Sequence, residues 1–275
     1  MSDSLITVAG LTEITSPSSG DYVPVSNGGV LKKMTYSNFV APLNNAGAHN
    51  AIYRGKYLGS SVTAAQWASI AAGTFDDLFI GDYWAMSSVN YRIAAFNYYL
   101  KTGDTSCTTP HIVIVPDTNM YTYVMNDEKV TTGGYVGSKM YTSGLADALT
   151  AIETAFGSTH ILSHRQYFCN AVTSGHPSGG SWYDCKVALM TEQNVYGCKI
   201  FGPMDDGSSV YSNYTVDKSQ YPLFAHDPYM ITNRHTYWLR DVVSAADFAG
   251  AYASGAACYY DASATAGVRP AFCIK

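Results

Sequence analysis

The chain has 275 residues, of which 13% are charged, and its net charge of −5 comes with scattered Lys and Arg residues. It contains no basic stripe and no apolar run of the ~20 residues needed to cross a bilayer, so we expect neither nucleic-acid binding nor membrane insertion. The 23 Tyr and 24 Gly residues favour a loop-rich protein whose neutral, aromatic surface contacts a partner.

Residues 1–50 form a segment that is poor in apolar side chains and therefore cannot build a core of its own. Residues 22–25 are typical of a short strand, residues 32–39 of a second short element and residues 42–50 of a linker. We expect this segment to pack on another chain or on a larger assembly. Residues 1–11 lack the basic and apolar regions of a secretion signal, which indicates assembly in a cytoplasm unless a signal preceded them.

Residues 51–275 are predicted to form one compact domain with two main helices. The first helix follows a cap at Ser60 or Ser61 and ends at Gly73. The second spans residues 143–156, where apolar side chains recur at helical spacing. Shorter helices are expected at two further places, residues 165–171 and residues 186–195.

Short strands are predicted through the rest of this domain. Residues 78–80 begin a strand region, which continues in a hairpin formed by residues 81–86 and 91–96. Residues 111–116 are a short apolar run typical of a buried strand. Because the last third of the chain alternates short strands with turns, the pattern predicts an α+β fold with several short antiparallel strands.

The cysteines are predicted to be free and mostly buried thiols. No CxxC pair and no ordinary zinc-site spacing occurs, and a chain of this length does not need disulfide bonds. We therefore expect neither a cofactor nor a metal ion. The six cysteines are Cys107, Cys169, Cys185, Cys198, Cys258 and Cys273.

The most unusual composition lies near the C-terminus, in residues 244–266. This stretch is dominated by Ala, Ser, Tyr, Gly and Asp and has no Leu, Ile, Val, Lys, Glu, Gln or Met. Without branched aliphatic side chains it contributes little to a core, so we expect it to lie largely on a surface. Apolar residues at both ends, around Trp238 and Phe272, predict buried strands that hold it in place.

Two explanations for this composition remain open. If the adenines of an asparagine codon ending in C or T were randomised, the accessible residues would include Ala, Ser, Tyr, Asp, Gly, Cys and Thr. The same set would exclude Lys, Glu, Gln, Met and Trp, all of which are missing from the segment. The alternative is an ordinary surface loop rich in Ala, Ser and Gly.

The sequence YWLRD at residues 237–241 and the sequence GVRPAF at residues 267–272 carry a resemblance to a known family. The chain resembles the variable proteins of diversity-generating retroelements, especially those of phages and prophages of gut bacteria. Weaker similarities to this family occur at residues 133–138, 161–165 and 219–224. Residues 22–29 are similar, more weakly, to an attachment segment of tail-fibre proteins.

The resemblance implies a C-type-lectin-like fold, related in architecture to formylglycine-generating enzymes, with a variable region of about residues 237–274. In that family, variable side chains occupy a ligand-binding face held by an invariant backbone. The implied scaffold positions are Trp238, Arg240, Gly267, Arg269 and Pro270. The implied ligand-binding positions are Asp247, Gly250, Tyr252, Ser254, Ala256, Cys258, Tyr260, Asp261, Ala264 and Ala266.

The function implied by the resemblance is host recognition by a phage tail, not catalysis. The expected partners are a host-cell receptor, either protein or glycan, and other virion tail proteins that bind the N-terminal segment. The expected assembly is a homo-oligomer, commonly a trimer, in the virion tail. Two alternatives remain, a bacterial surface adhesin of the same fold and a divergent formylglycine-generating-type oxidase. Enzymes of the latter type use a cysteine pair, of which Cys258 and Cys273 are no recognisable version.

Other groups of residues favour structural roles. His160 and His164 are four residues apart but lack the intervening Glu of a zinc-protease motif. Two acidic groups, residues 76–82 and residues 205–206, could bind calcium, yet no EF-hand pattern surrounds them. The Gly-rich residues 175–181 lack the Lys of a phosphate-binding loop, which indicates a surface turn.

Overall fold

The computed structural model describes Ser18 and residues 20–40, 45–169, 172–173, 176–177, 180–202 and 219–275. The chain divides into two compact units, Met1–Asn44 and Asn45–Lys275. The second unit begins six residues before the predicted start at residue 51. In the described ranges, no helix is both long enough and apolar enough to cross a bilayer.

The first unit contains a β-hairpin followed by a short helix. Strand β1, Tyr22–Asn27, pairs antiparallel with β2, Val30–Thr35, and helix α1 covers Tyr36–Val40. The turn between the strands uses two glycines with positive φ, as a tight hairpin requires. The strand predicted at residues 22–25 is confirmed, whereas residues 32–39 divide between a strand and a helix. Large apolar side chains remain exposed here, including Leu31 at 78%.

The helices of the second unit are short. Helix α2, Ala46–Asn50, lies where a linker was predicted; Asn45 caps it, and its His49 is buried. Helix α3, Ala64–Ala72, ends at Gly73 as predicted, but its cap is Thr63 and not Ser60 or Ser61. The remaining helices are α4, Ala146–Phe156, α5, Glu192–Tyr196, and α6, Pro222–His226.

The cap of α3 lies later than predicted because Thr63 and Gln66 form a reciprocal pair. The Thr63 hydroxyl accepts a hydrogen bond from Gln66 N at 3.2 Å, and Gln66 Oε1 accepts one from Thr63 N at 2.9 Å. This capping box satisfies two amide groups at once, which a serine at position 60 or 61 does not do.

The first large sheet has the strand order β11-β16-β5-β4-β3. Its hairpin of β3 and β4 and its buried strand β5 confirm the strands predicted at residues 81–96 and 111–116. The strands are β3, Tyr83–Met86, β4, Val89–Phe96, β5, Ile112–Pro116, β11, Val187–Leu189, and β16, Pro270–Ile274. All five residues of β5 and of β16 are buried, so this sheet forms the centre of the core.

The second large sheet has the order β14-β13-β12-β15-β6. Its strands are β6, Tyr121–Val124, β12, Tyr237–Val242, β13, Asp247–Ala251, β14, Ala257–Asp261, and β15, Thr265–Val268. Strand β14 lies at one edge, and β12 pairs with β15 in parallel at Tyr237 and Gly267. Residues 237–274, which we call the C-terminal segment, therefore supply four of the five strands of this sheet.

Of the two shorter helices predicted from the sequence, the one at residues 165–171 is wrong and the one at residues 186–195 is only partly right. Residues 165–171 were predicted as a helix, but β7, His164–Cys169, pairs antiparallel with β10, Gly180–Cys185. Gln166 and Phe168 in β7 are buried and alternate with less buried neighbours, which is the period of a strand. Residues 186–195 contain both β11 and most of α5.

A further pair, β8, Val172–Thr173, and β9, His176–Pro177, completes the described strands. The fold is α+β, as predicted.

Candidate functional site

The residues implied as scaffold are all buried, in the second sheet or at its connection to β16 of the first sheet. Trp238 is fully buried in β12, and its indole Nε1 donates a 2.9 Å hydrogen bond to the Tyr123 carbonyl in β6. Arg240 donates to the Gln166 side chain, and its guanidinium lies 4.6 Å from the centre of the Phe168 ring. These contacts join β12 both to the far strand of its own sheet and to β7. Pro270 begins β16 opposite Leu189.

Arg269 is a fully buried cation with carbonyl and aromatic partners. Its Nε donates to the Pro116 carbonyl and its Nη1 to the Met230 carbonyl, both at 2.8 Å. The guanidinium also lies over the rings of Tyr237 at 5.2 Å and Phe224 at 5.5 Å. It therefore fixes the end of β5 and the segment before β12 to the junction between β15 and β16.

Gly267 is required by a close approach. A Cβ atom at this position would lie 1.8 Å from Nδ2 of Asn119, which is impossible without a rearrangement. Asn119 uses that space to donate to the Thr236 carbonyl at 3.2 Å and to accept from Asn233 Nδ2 at 2.7 Å. The glycine thus makes room for an amide network that holds the start of β12.

Strands β13 and β14 form a hairpin with a tight three-residue turn. Tyr252 N donates to Ala256 O at 2.7 Å, and Gly255 N donates to Tyr252 O at 2.8 Å. Gly255 has φ +87°, and a Cβ there would lie 2.6 Å from Thr232 Oγ1, so both backbone and space select glycine. The hydroxyl of Thr232 donates to Ser254 O, and that of Tyr196 donates to Gly255 O, both at 3.2 Å. The tip is therefore held by fixed neighbours.

The expectation that residues 244–266 lie largely on a surface is only partly right. Phe248, Ala249, Gly250 and Ala251 are buried because β13 lies between β12 and β14. The small residues of β13 are therefore also explained by close packing inside the domain, and not by surface exposure alone. The exposed positions of the segment are Ala245, Tyr252, Ser254, Ala256, Tyr259 and Thr265.

Two implied ligand-binding positions cannot present a side chain to solvent. Gly250 is buried, and a Cβ there would lie 3.0 Å from Tyr237 O and 3.3 Å from Cys258 Sγ. Ala266 is 7% exposed because β15 lies between β12 and β6. Of the others, Tyr252, Ser254 and Ala256 are exposed. The half-buried ones are Asp247, Cys258, Tyr260, Asp261 and Ala264.

Tyr259 is exposed, although it is not among the implied ligand-binding positions. Its side chain is 49% exposed, close to the 48% of Tyr252, whereas its neighbour Tyr260 packs edge-on against Trp238 at 6.3 Å. Adjacent residues of a strand point to opposite faces of the sheet. The two consecutive tyrosines in the sequence therefore indicated that, if one ring packs inside the domain, the other points to the opposite face. We call the exposed and half-buried side chains of residues 252–261 the hairpin surface.

A loop outside the C-terminal segment adjoins the hairpin surface. The Phe201 ring packs against the Tyr259 ring at 5.0 Å, and both Ile200 and Phe201 are exposed. The buried Glu192 carboxylate accepts hydrogen bonds from the backbone N–H groups of residues 200, 201 and 202, at 3.0, 3.0 and 2.8 Å. One carboxylate at the start of α5 therefore sets the path of this loop, and no sequence motif indicated it.

Glu192 also influences a second carboxylate beneath the hairpin. Asp241 Oδ2 accepts a 2.6 Å hydrogen bond from Glu192 N. Burial, together with the negative charge of Glu192, raises the pKa of Asp241 to about 6. The two acids therefore act as backbone acceptors that join α5, the loop and β12.

The remaining candidates have structural partners. His160 stacks on Trp67 at 3.8 Å, while His164 is buried and contacts Gln166 Nε2 at 2.8 Å. Asp77 pairs with Lys56, and Asp82 accepts from Arg54 at 2.6 Å. Residues 205–206 and, of the Gly-rich stretch, residues 175, 178 and 179 lie outside the described part of the chain. Across the described residues, no group of three or more His, Cys, Asp or Glu side chains could hold a metal ion.

Two of the cysteines, Cys258 and Cys273, lie in the two large sheets. Cys258 lies in β14 and Cys273 in β16, which belong to different sheets. Burial raises the pKa of Cys258 to about 11 and that of Cys273 well above its ordinary value, so both remain thiols at neutral pH. The five cysteines whose side chains are described are free. Comparisons of the chain with protein-family models, with curated proteins and with solved structures find no match.

Proposed function

We propose that this chain is a receptor-binding protein of a phage tail and that the hairpin surface contacts the host receptor. The observation that carries the proposal is the position of two half-exposed tyrosines, Tyr252 and Tyr259, on one hairpin. Backbone hydrogen bonds within the turn, and those from Tyr196 and Thr232, hold this hairpin in place. Tyrosine gives large contact area and a hydroxyl while it loses little entropy on binding. A rigid support further limits the entropic penalty of association.

The buried residues beneath the hairpin surface support a role in holding exposed side chains toward a partner. Trp238, Gly267 and Arg269 are held by contacts that depend on their particular side chains, or on the lack of one. The hairpin tip, by contrast, presents Ser254 and Ala256 without any tertiary packing that requires those residues. A protein of this design tolerates exchange of its exposed side chains while its backbone stays constant. We propose that the domain has the C-type-lectin-like fold and that its variable region belongs to a diversity-generating retroelement.

We also propose that the first unit attaches the chain to other virion tail proteins and that the protein works as a homo-oligomer, commonly a trimer. A two-stranded hairpin is marginally stable by itself, and this one leaves Tyr22, Val30 and Leu31 exposed. Contact with another chain would bury those side chains. Neighbouring tail genes would support the virion tail as its location, whereas a secretion signal or anchor would support a bacterial surface adhesin.

The proposal predicts strain-selective binding. Fluorescently labelled full-length protein, incubated with a panel of bacterial isolates, is expected to label a few strains strongly and the others at background. Addition of unlabelled protein should compete for the bound strains, because a finite number of receptors is occupied. Equal labelling of all strains, or labelling that unlabelled protein does not reduce, would contradict receptor recognition.

The diversification part of the proposal has its own test in the source DNA. We expect a near-copy of the codons for residues 240–275 that differs mainly at adenines. Its differences should fall on exposed codons such as those of Tyr252 and Tyr259 and spare Gly250, Gly267 and Arg269. Differences spread equally over the codons of exposed and of buried residues would favour the alternative of an ordinary surface loop.

A further inference from the structure

Strand β14 is an edge strand whose outer backbone groups are identifiable. Tyr252 N donates to Ala256 O, so the pair 252/256 is a hydrogen-bonded pair, and pairs alternate along an antiparallel ladder. In that register Cys258 and Tyr260 bond to β13, whereas Ala257 and Tyr259 direct their N–H and C=O groups away from it. Val243 N donates to Asp247 O, which confirms the same alternation on β13.

Ala257 and Tyr259 therefore present four polar backbone groups along this edge, one N–H and one C=O from each residue. Within the described part of the chain, no residue hydrogen-bonds to them. Native proteins usually block such an edge with a charged or proline residue, a bulge or a covering segment. The first two outward residues here are instead an alanine and a tyrosine. The third, Asp261 at the end of β14, is charged, and its C=O accepts from Ala264 N.

An apolar cluster lies beside the same edge. Tyr259 and Phe201 are in ring contact at 5.0 Å, and Ile200 is 46% exposed next to Phe201 in the chain. The Glu192 carboxylate holds the backbone of both loop residues. The edge thus combines unpaired backbone groups with a fixed apolar surface, which is the combination used when an extended peptide adds a strand to a sheet.

The nearby carboxylates are already engaged. Asp261 accepts from Ser263 Oγ at 2.7 Å and pairs with Lys129 at 3.1 Å. Asp247 accepts from Ser244 Oγ at 2.6 Å. With these carboxylates engaged, a glycan would depend on the hydroxyls of Tyr252, Ser254 and Tyr259. A polypeptide offers N–H and C=O groups at the spacing of β14 and apolar side chains for the cluster.

We infer that the ligand of this site is a polypeptide, that an extended segment of it pairs with the outer edge of β14, and that Ile200 and Phe201 contact its side chains. The inference rests on the proposed function, which it deepens by naming the partner as protein and by adding a binding element outside the C-terminal segment. The segment would form up to four backbone hydrogen bonds with Ala257 and Tyr259.

Selection from a displayed library of random linear peptides tests the inference, with the full chain as bait and fluorescence polarisation for affinities. Enriched peptides should bind Ala257→Pro at least tenfold more weakly, since proline lacks the outward N–H yet is tolerated at strand edges. Phe201→Ala should lose affinity by a similar factor. The matched controls Ala257→Val, which keeps the N–H, and Tyr57→Ala, an exposed tyrosine elsewhere, should bind as the parent chain does.

Amide hydrogen exchange gives a readout that does not depend on any variant. Bound peptide should slow exchange at the amides of Ala257 and Tyr259, the two that face outward. The inference is overturned if no peptide is enriched, or if enriched peptides bind Ala257→Pro and Phe201→Ala normally and leave these amides unprotected.

Failure of this inference is separable from failure of the proposed function. If a labelled bacterial strain loses binding with Tyr252→Ala but binds Ala257→Pro and Phe201→Ala normally, receptor recognition stands and the edge is not its contact. If protease treatment of that strain leaves binding intact while periodate oxidation of its glycans abolishes it, the polypeptide assignment is wrong.

Discussion

Replacement of Arg269 by methionine is expected to lower the free energy of unfolding by about 2–5 kcal/mol. Methionine fills much of the volume but donates no hydrogen bond, so the buried carbonyl of Pro116 and the part-buried carbonyl of Met230 lose this donor. Each buried acceptor left without a partner costs about 1–3 kcal/mol. The contacts of the guanidinium with the rings of Tyr237 and Phe224 are lost as well. Urea unfolding followed by tryptophan fluorescence measures the change.

The matched control for this variant is Arg165→Met. Arg165 pairs with Asp104 at 2.7 Å near the surface, where such pairs contribute about 0–1 kcal/mol. Arg269→Lys should fall between the two, because lysine keeps the charge but cannot reach two carbonyls with a planar fork. A stability of Arg269→Met equal to that of Arg165→Met would show that Arg269 does not hold the frame.

Replacement of Glu192 by glutamine is expected to lower the free energy of unfolding by about 2–4 kcal/mol and to release residues 200–202. The carboxylate accepts from three backbone N–H groups, and glutamine turns one of its two oxygens into a donor that faces other donors. Hydrogen bonds to a charged group contribute about 1.5–3 kcal/mol each. Amide exchange at Ile200, Phe201 and Gly202 should accelerate much more than exchange in β5.

The same variant should change the titration of Asp241. Removal of the Glu192 charge takes away one of the causes that raise its pKa to about 6, so the value should fall, while burial keeps it above the ordinary range. Carboxyl NMR shifts recorded against pH measure this. The control is Glu153→Gln, since Glu153 forms an ion pair with Lys186 at 2.7 Å and no described hydrogen bond joins its side chain to residues 200–202. Unchanged exchange in the loop of Glu192→Gln would contradict its positioning role.

Local patterns in the sequence predicted much of the fold. The stop at Gly73 and the hairpin at residues 81–96 follow from turn chemistry and period-two alternation, which act over a few residues. Residues 165–171 were misassigned although Gln166 and Phe168 alternate as a strand requires. The cap of α3 was misplaced because two serines preceded the threonine whose partner Gln66 closes the capping box.

The candidate site was predictable only in part. The segment between Trp238 and Phe272 stood out by composition, yet composition does not show which face of a strand is covered. Gly250 and Ala266 are buried by pairing on both sides, a property of strand order in the sheet. The contribution of Phe201 depends on a tertiary contact between Glu192 and a loop eight to ten residues later, for which no local pattern exists.

Cell binding by the double variant Tyr252→Ala/Tyr259→Ala tests receptor recognition most directly. Truncation of an anchor residue at an interface commonly weakens binding by about 1–2 kcal/mol, so the pair should reduce affinity for a labelled strain by tenfold or more. Its thermal midpoint should stay close to that of the parent chain, since both rings are about half exposed. Tyr260→Ala should lower that midpoint, because its ring packs on Trp238. A folded double variant that binds the strain with parental affinity would contradict recognition through the hairpin surface.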